Sequence, residues 1–331
     1  MVCLLGLSQA AELPSSSTTT LVGAGGTFPA PLYTRWFEEY EKIHPGWQMR
    51  YVAVGSGEGI HQVTTGAVDF GGTDSPMTDR EISEARIKVL HFPSALGAAV
   101  PAYNLANLDK PLHFTGHILA GIFLGTIRRW NDPAIAAVNP EATLPSARIM
   151  VVHRLEASGT TYIWTDYLSK VDTRWKREVG RGTEVSWPVG VPARGNGGVA
   201  EAVKRTPNSI GYCEVAYALQ SGLPYGLVRN AAGNFVRASP ESITAAAEPV
   251  RTARGDFRVS ITNPAGNNAY PISSFTWLLV PTNMESDKKP VMQEFLRWML
   301  LTGQAFSEPL GYARLPEDTI RAELQAVEQI Q

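Results

Sequence analysis

Four short stretches put backbone N–H groups and small hydroxyls where helices should begin. They are Gly25-Gly26-Thr27-Phe28-Pro29, Gly55-Ser56-Gly57-Glu58-Gly59, Asp69-Phe70-Gly71-Gly72-Thr73-Asp74 and Arg154-Leu155-Glu156-Ala157-Ser158-Gly159-Thr160. The first turn of a helix carries unpaired N–H donors and a partial positive charge, so it attracts anions. One such stretch is an ordinary turn. Several together, with Arg154 and Asp74 among them, suggest an enclosed site for a small, multiply charged oxyanion. Each residue also has a plainer role. Ser56 and Ser158 fit helix N-caps, which is compatible with facing a ligand. The glycines fit turns, and Asp74, before Ser75-Pro76, fits a turn cap. Arg154 closes an apolar strand run, where an arginine needs a partner; Glu156 and a ligand both qualify.

The elements that must position these residues alternate. Residues 21–24 read as a strand and 29–43 as a helix, with Leu32, Trp36, Phe37, Tyr40 and Ile43 at spacings of 3 and 4. A strand over 49–54, a helix over 57–65 and a strand over 68–71 follow. A helix then opens with the capping-box pattern Thr78-Asp-Arg-Glu81. Residues 89–103 form a long apolar run that leads into a second unit. There, helices are expected at 115–124 and 133–138, a strand at 148–154 and a helix at 158–171. Gly195-Asn196-Gly197-Gly198 precedes a helix at 199–205, and 210–217 returns to the core. After a polar, turn-rich stretch (230–268) come a strand at 272–280, a helix at 290–302 stopped by Gly303, and a weak helix from Glu317. Strands alternating with helices indicate an α/β fold with a mainly parallel sheet, whose ligands sit beyond the carboxyl ends of the strands.

At 331 residues the chain suits two domains, and 44% apolar with 18% charged residues describes a folded chain. The formal net charge of −2 argues against nucleic-acid binding through a basic surface. No apolar run reaches the length of a membrane span. Cys3 and Cys213 make no disulfide framework, and Cys213 reads as a small buried side chain. Residues 1–7 are apolar, and Ser8-Gln9-Ala10-Ala11 resembles a signal-peptidase site, so 1–20 is expected to be a clipped secretory leader and polar spacer.

Catalysis finds little support. The six histidines make no metal signature, the glycine spacings match neither the dinucleotide nor the Walker pattern, and Ser158 lacks a nucleophile elbow. No cofactor and no metal are expected, and binding is favoured over turnover.

With these residues assembled, the chain resembles the periplasmic phosphate-binding proteins of high-affinity phosphate ABC transporters. Gly23-Ala-Gly-Gly-Thr-Phe-Pro-Ala-Pro-Leu-Tyr33, Val68-Asp-Phe-Gly-Gly-Thr-Asp74 and Ser158-Gly-Thr-Thr161 carry the resemblance. Gly125-Thr-Ile-Arg-Arg-Trp-Asn131 and Ser209-Ile-Gly-Tyr212 extend it, and it spans about Val22 to Pro316. It implies a type 2 periplasmic-binding-protein fold: two lobes, each a mixed, mainly parallel sheet flanked by helices, joined by two crossover strands. Lobe one would combine 21–98 with 270–331, and lobe two would be 99–269. The implied phosphate ligands are Thr27, Phe28 (through its N–H), Ser56 and Asp74 from lobe one, and Arg154, Ser158, Gly159 and Thr160 from lobe two. The implied partners are inorganic phosphate and membrane permease subunits, with the protein a periplasmic monomer. Two departures stand out: Glu156 replaces an aspartate that steadies the arginine in relatives, and Glu58 puts a carboxylate beside an anion loop. A binding protein for sulfate or molybdate is the alternative, and a phosphate-ester hydrolase a more distant one.

Overall fold

The computed structural model describes residues 18–248 and 257–331. The expected leader and Cys3 lie outside the described residues. Eleven strands are present among the described residues: β1 (Thr19–Gly25), β2 (Trp47–Ala53), β3 (Phe70–Thr73), β4 (Val89–Asn104), β5 (His113–Phe114), β6 (Met150–Arg154), β7 (Val191–Ala193), β8 (Ser209–Glu214), β9 (Leu227–Arg229), β10 (Phe235–Val236) and β11 (Ser273–Pro281). Eight of them form one mixed sheet in the order β2-β1-β3-β11-β4-β8-β6-β7, and β10-β9-β5 form a small second sheet.

The long apolar run at 89–103 explains the sheet's shape. As β4 it is 16 residues long and buried from Phe92 to Tyr103. Its first part pairs antiparallel with β11, and its last six residues pair antiparallel with β8. One half-sheet, β2-β1-β3-β11, therefore joins the other, β8-β6-β7, through a shared strand. Within each half the strands that carry the motifs are parallel: β1 with β2 and β3, and β6 with β7 and β8. Their carboxyl ends therefore gather Gly25, Ala53, Thr73, Arg154, Ala193 and Glu214.

Aromatic side chains fix each half behind these ends. Tyr33, Trp36, Phe37, Tyr40 and Phe70 pack with Phe295 and Trp298 on one side, and Phe123, Trp164, Trp187 and Tyr212 cluster on the other. The first set falls at spacings of 3 and 4 because the helix Ala30–Ile43 turns one face to the sheet.

Three shifts from the expected boundaries bear on the strand ends where the motifs lie. The helix expected from 57 is Ser56–Thr65, with Gly55 rather than Ser56 in the cap position at φ +110°. Ser56 is thus inside the first turn and its hydroxyl is free for another partner. The helix expected from 199 begins at Gly195, because the Gly195 N–H donates to Glu156 and so satisfies one orphan donor of that turn. The third expected strand, placed over 68–71, runs instead from Phe70 to Thr73. The helix Thr173–Glu178, β7 and the small sheet carried no signal that the sequence reading used.

Candidate functional site

Helix starts from both halves meet beyond the strand ends: Ala30–Ile43 and Ser56–Thr65 from one side, Gly159–Val171 and Gly195–Arg205 from the other. Each adds partial positive charge to the same small volume. The eight residues expected to hold the anion all lie within this region and all are buried. Contact across the halves is close. A Cβ added to Gly159 would lie 2.5 Å from Ser56 Oγ and 2.6 Å from Asp74 Cβ, so only glycine lets these loops approach. Gly57 N–H also donates to Ala157 O at 3.3 Å.

Asp74 follows β3, and β11 runs antiparallel beside it, which brings Thr276 alongside. Thr276 Oγ1 donates to Asp74 Oδ1 at 2.8 Å, and Ser56 Oγ donates to Oδ2 at 3.3 Å. Asp74 N–H returns a bond to Ser56 Oγ at 3.2 Å. Asp74 is therefore a held carboxylate in the site's floor and not a turn cap. Burial pushes its pKa up to about 7, against the opposing pull of Thr276, Arg154 and Ser56.

Arg154 emerges from β6 with its side chain almost fully buried. Its Nε donates to Glu156 Oε1 at 3.1 Å, and its Nη2 makes an ion pair with the same oxygen. Nη1 donates to Thr160 Oγ1 at 3.1 Å. Glu156 also accepts from Gly195 N–H at 3.0 Å, so its longer side chain ties the arginine to the start of a second helix. Tyr212 holds the strand end by accepting from Arg154 N–H at 3.1 Å, and its hydroxyl meets Thr161 Oγ1 at 2.7 Å. His153 points the other way and stacks on Trp187, as period-2 alternation requires.

The remaining donors are oriented from outside the site. Ser158 caps its helix by accepting from Thr161 N–H at 3.2 Å, which leaves Gly159 and Thr160 N–H as first-turn donors. Tyr217 donates to Thr27 O at 2.6 Å and Tyr312 to Phe28 O at 2.6 Å. A trans peptide sets N–H opposite C=O, so the hold on Thr27 O fixes the direction of the Phe28 N–H. Glu58 is exposed and accepts from Gln62 Nε2 at 2.7 Å, so its charge is turned to solvent. Cys213 is buried, as expected.

Two residues of the site were not singled out in the sequence. Thr276 sits in an apolar strand run with nothing to distinguish it. Asn196 did have a signal, since Gly195-Asn196-Gly197-Gly198 at a helix start repeats the pattern of the four motifs. It is fully buried and bonded to both halves. Among the described residues no group of three or more His, Cys, Asp or Glu is placed to hold a metal ion, and no helix is long and apolar enough to cross a membrane.

This arrangement offers many donors, one arginine and, in Asp74, an acceptor carboxylate, which suits an oxyanion that still carries a proton. Comparison with known proteins gives the same architecture a family. The PBP superfamily domain matches residues 10–302. The chain is 40% identical over 325 residues to phosphate-binding protein PstS of Xylella fastidiosa, covering 96% of this chain and 88% of the relative. It is 40% identical over 311 residues to phosphate-binding protein PstS of Pasteurella multocida, covering 93% and 89%. In fold it is similar to a phosphate-binding protein from Stenotrophomonas maltophilia, with a TM-score of 0.69 at 19% identity over 93% of this chain and 94% of that one. The chain belongs to the PstS family of phosphate-binding proteins within the PBP superfamily.

Proposed function

We propose that this protein binds inorganic phosphate between two closing lobes outside the cytoplasm and delivers it to the permease of a phosphate ABC transporter. The lobes are residues 21–98 with 270–331, and 99–269. The ligand set is Thr27, Phe28, Ser56, Asp74, Arg154, Ser158, Gly159 and Thr160. The observation that carries this reading is the pairing of a buried acceptor carboxylate, Asp74, with donors drawn from three helix starts and Arg154, while the fourth helix start holds Glu156 and Thr27 in place. A fully ionised anion such as sulfate would meet that carboxylate with no proton to share, which disfavours the sulfate reading. The protein acts as a monomeric carrier and not as an enzyme, so a colorimetric assay should show no phosphate released from simple phosphate esters.

Binding across two lobes stabilises only the folded chain. At a phosphate concentration about 1,000 times Kd the gain is roughly 4 kcal/mol. Thermal melting of ligand-stripped protein should therefore move upward by several degrees when phosphate is added. An unchanged Tm at saturating phosphate refutes the proposal.

A further inference from the structure

Asn196 bonds to two hydroxyls that lie on opposite halves of the molecule. Its Nδ2 donates to Thr27 Oγ1 at 2.9 Å and to Thr160 Oγ1 at 3.1 Å. Its backbone N–H donates to Thr27 Oγ1 as well, at 3.1 Å. The amide cannot be turned over, because Oδ1 accepts from the Glu214 N–H at 2.9 Å and only the carbonyl end can accept. The two Nδ2 protons are therefore committed to the two threonines.

A threonine oxygen has two acceptor sites and one proton. Thr27 Oγ1 accepts from Asn196 N and Nδ2, and Thr160 Oγ1 accepts from Asn196 Nδ2 and Arg154 Nη1. Both oxygens have filled their acceptor sites, so what each can still offer is its proton. From this geometry we infer that Asn196 is a positioning residue that fixes Thr27 and Thr160 as hydrogen-bond donors toward the anion, one from each side of the cleft. Left to rotate, the same hydroxyls could point lone pairs at the ligand, which would repel it. The inference rests on the phosphate reading above and adds a residue outside its ligand set. It also ties donor orientation to closure, since the Asn196–Thr27 bonds form only when the halves meet.

The test is a thermodynamic cycle read by calorimetric phosphate titration. Asn196→Ala is made in the wild-type chain and in a chain carrying Thr27→Val and Thr160→Val, which keep the side-chain shape and lose the hydroxyls. Asn196→Asp is made in both backgrounds too; it retains an acceptor for Glu214 N–H, so it holds the loop even if the alanine variant folds poorly. In the wild-type background either substitution should weaken phosphate binding by about 10- to 100-fold, the range for hydrogen bonds to charged groups. In the hydroxyl-free background Asn196→Ala should change Kd by less than about twofold, and Asn196→Asp should lose less there than in the wild type. Equal losses in the two backgrounds would overturn the inference and leave Asn196 as a packing residue. A wild-type chain that binds no phosphate would instead remove the reading on which the inference stands.

Discussion

Asp74 should make the choice between phosphate and sulfate depend on pH. Ionised, it accepts the proton that phosphate carries; sulfate brings none and meets a like charge in a desolvated site. Protonated, it can donate to sulfate. Its pKa of about 7 places the change inside an accessible range. The sign follows directly: raising pH ionises Asp74 and expels sulfate, and lowering pH admits it. If sulfate binds only the protonated form, its apparent affinity follows the protonated fraction, which rises roughly 30-fold between about pH 8.5 and about pH 6. Phosphate supplies its own proton and gains nothing comparable from acid. Burial raises the tyrosines 33, 51, 217 and 312, which keeps them neutral across this range; it also raises Glu214, and the Asp74 charge lifts that carboxyl further, so the pH dependence is assigned to Asp74 by its variant. Competition titrations of both anions at fixed ionic strength give the ratio. Asp74→Asn is the control: an amide can donate at any pH, so the variant should take sulfate better and lose the pH dependence. A sulfate affinity that stays flat in the wild type, or a ratio unmoved by Asp74→Asn, refutes the role given to this carboxylate.

Arg154→Ala should weaken phosphate binding by roughly 2–5 kcal/mol, because the buried anion keeps its desolvation cost and loses its strongest counter-charge. Arg177→Ala, whose side chain is 74% exposed, should leave binding unchanged in the same titration. Gly159→Ala should leave the ligand-free protein folded by circular dichroism, yet block closure. Its Cβ would collide with Ser56 and Asp74, so phosphate should no longer raise Tm.

Much of this candidate site is legible in the sequence, for a physical reason. Anion sites built on helix starts use glycines and small hydroxyls at fixed offsets from a strand end, and those survive as short local patterns around Thr27, Ser56 and Ser158. The strand pairing was less legible. That β4 serves both half-sheets follows from long-range register, of which an apolar run carries no local trace. Thr276 illustrates the same limit: its value lies in standing beside Asp74 across two antiparallel strands, 202 residues away in the chain. Glu156 shows a different one. Its place as the arginine's partner was readable, but its second bond to Gly195 N–H depends on a helix that starts four residues earlier than its apolar periodicity suggested.

The most direct test of the central claim is calorimetry on ligand-stripped protein, titrated with phosphate and then, in a fresh sample, with sulfate at about pH 8.5, where Asp74 is ionised. At this pH only about one chain in 30 carries the protonated Asp74 that can donate to sulfate, so ionised Asp74 disfavours sulfate by at least about 30-fold. The account predicts one phosphate bound per chain and sulfate weaker by at least that factor. Equal affinities for the two anions, or no heat from phosphate at all, would contradict it.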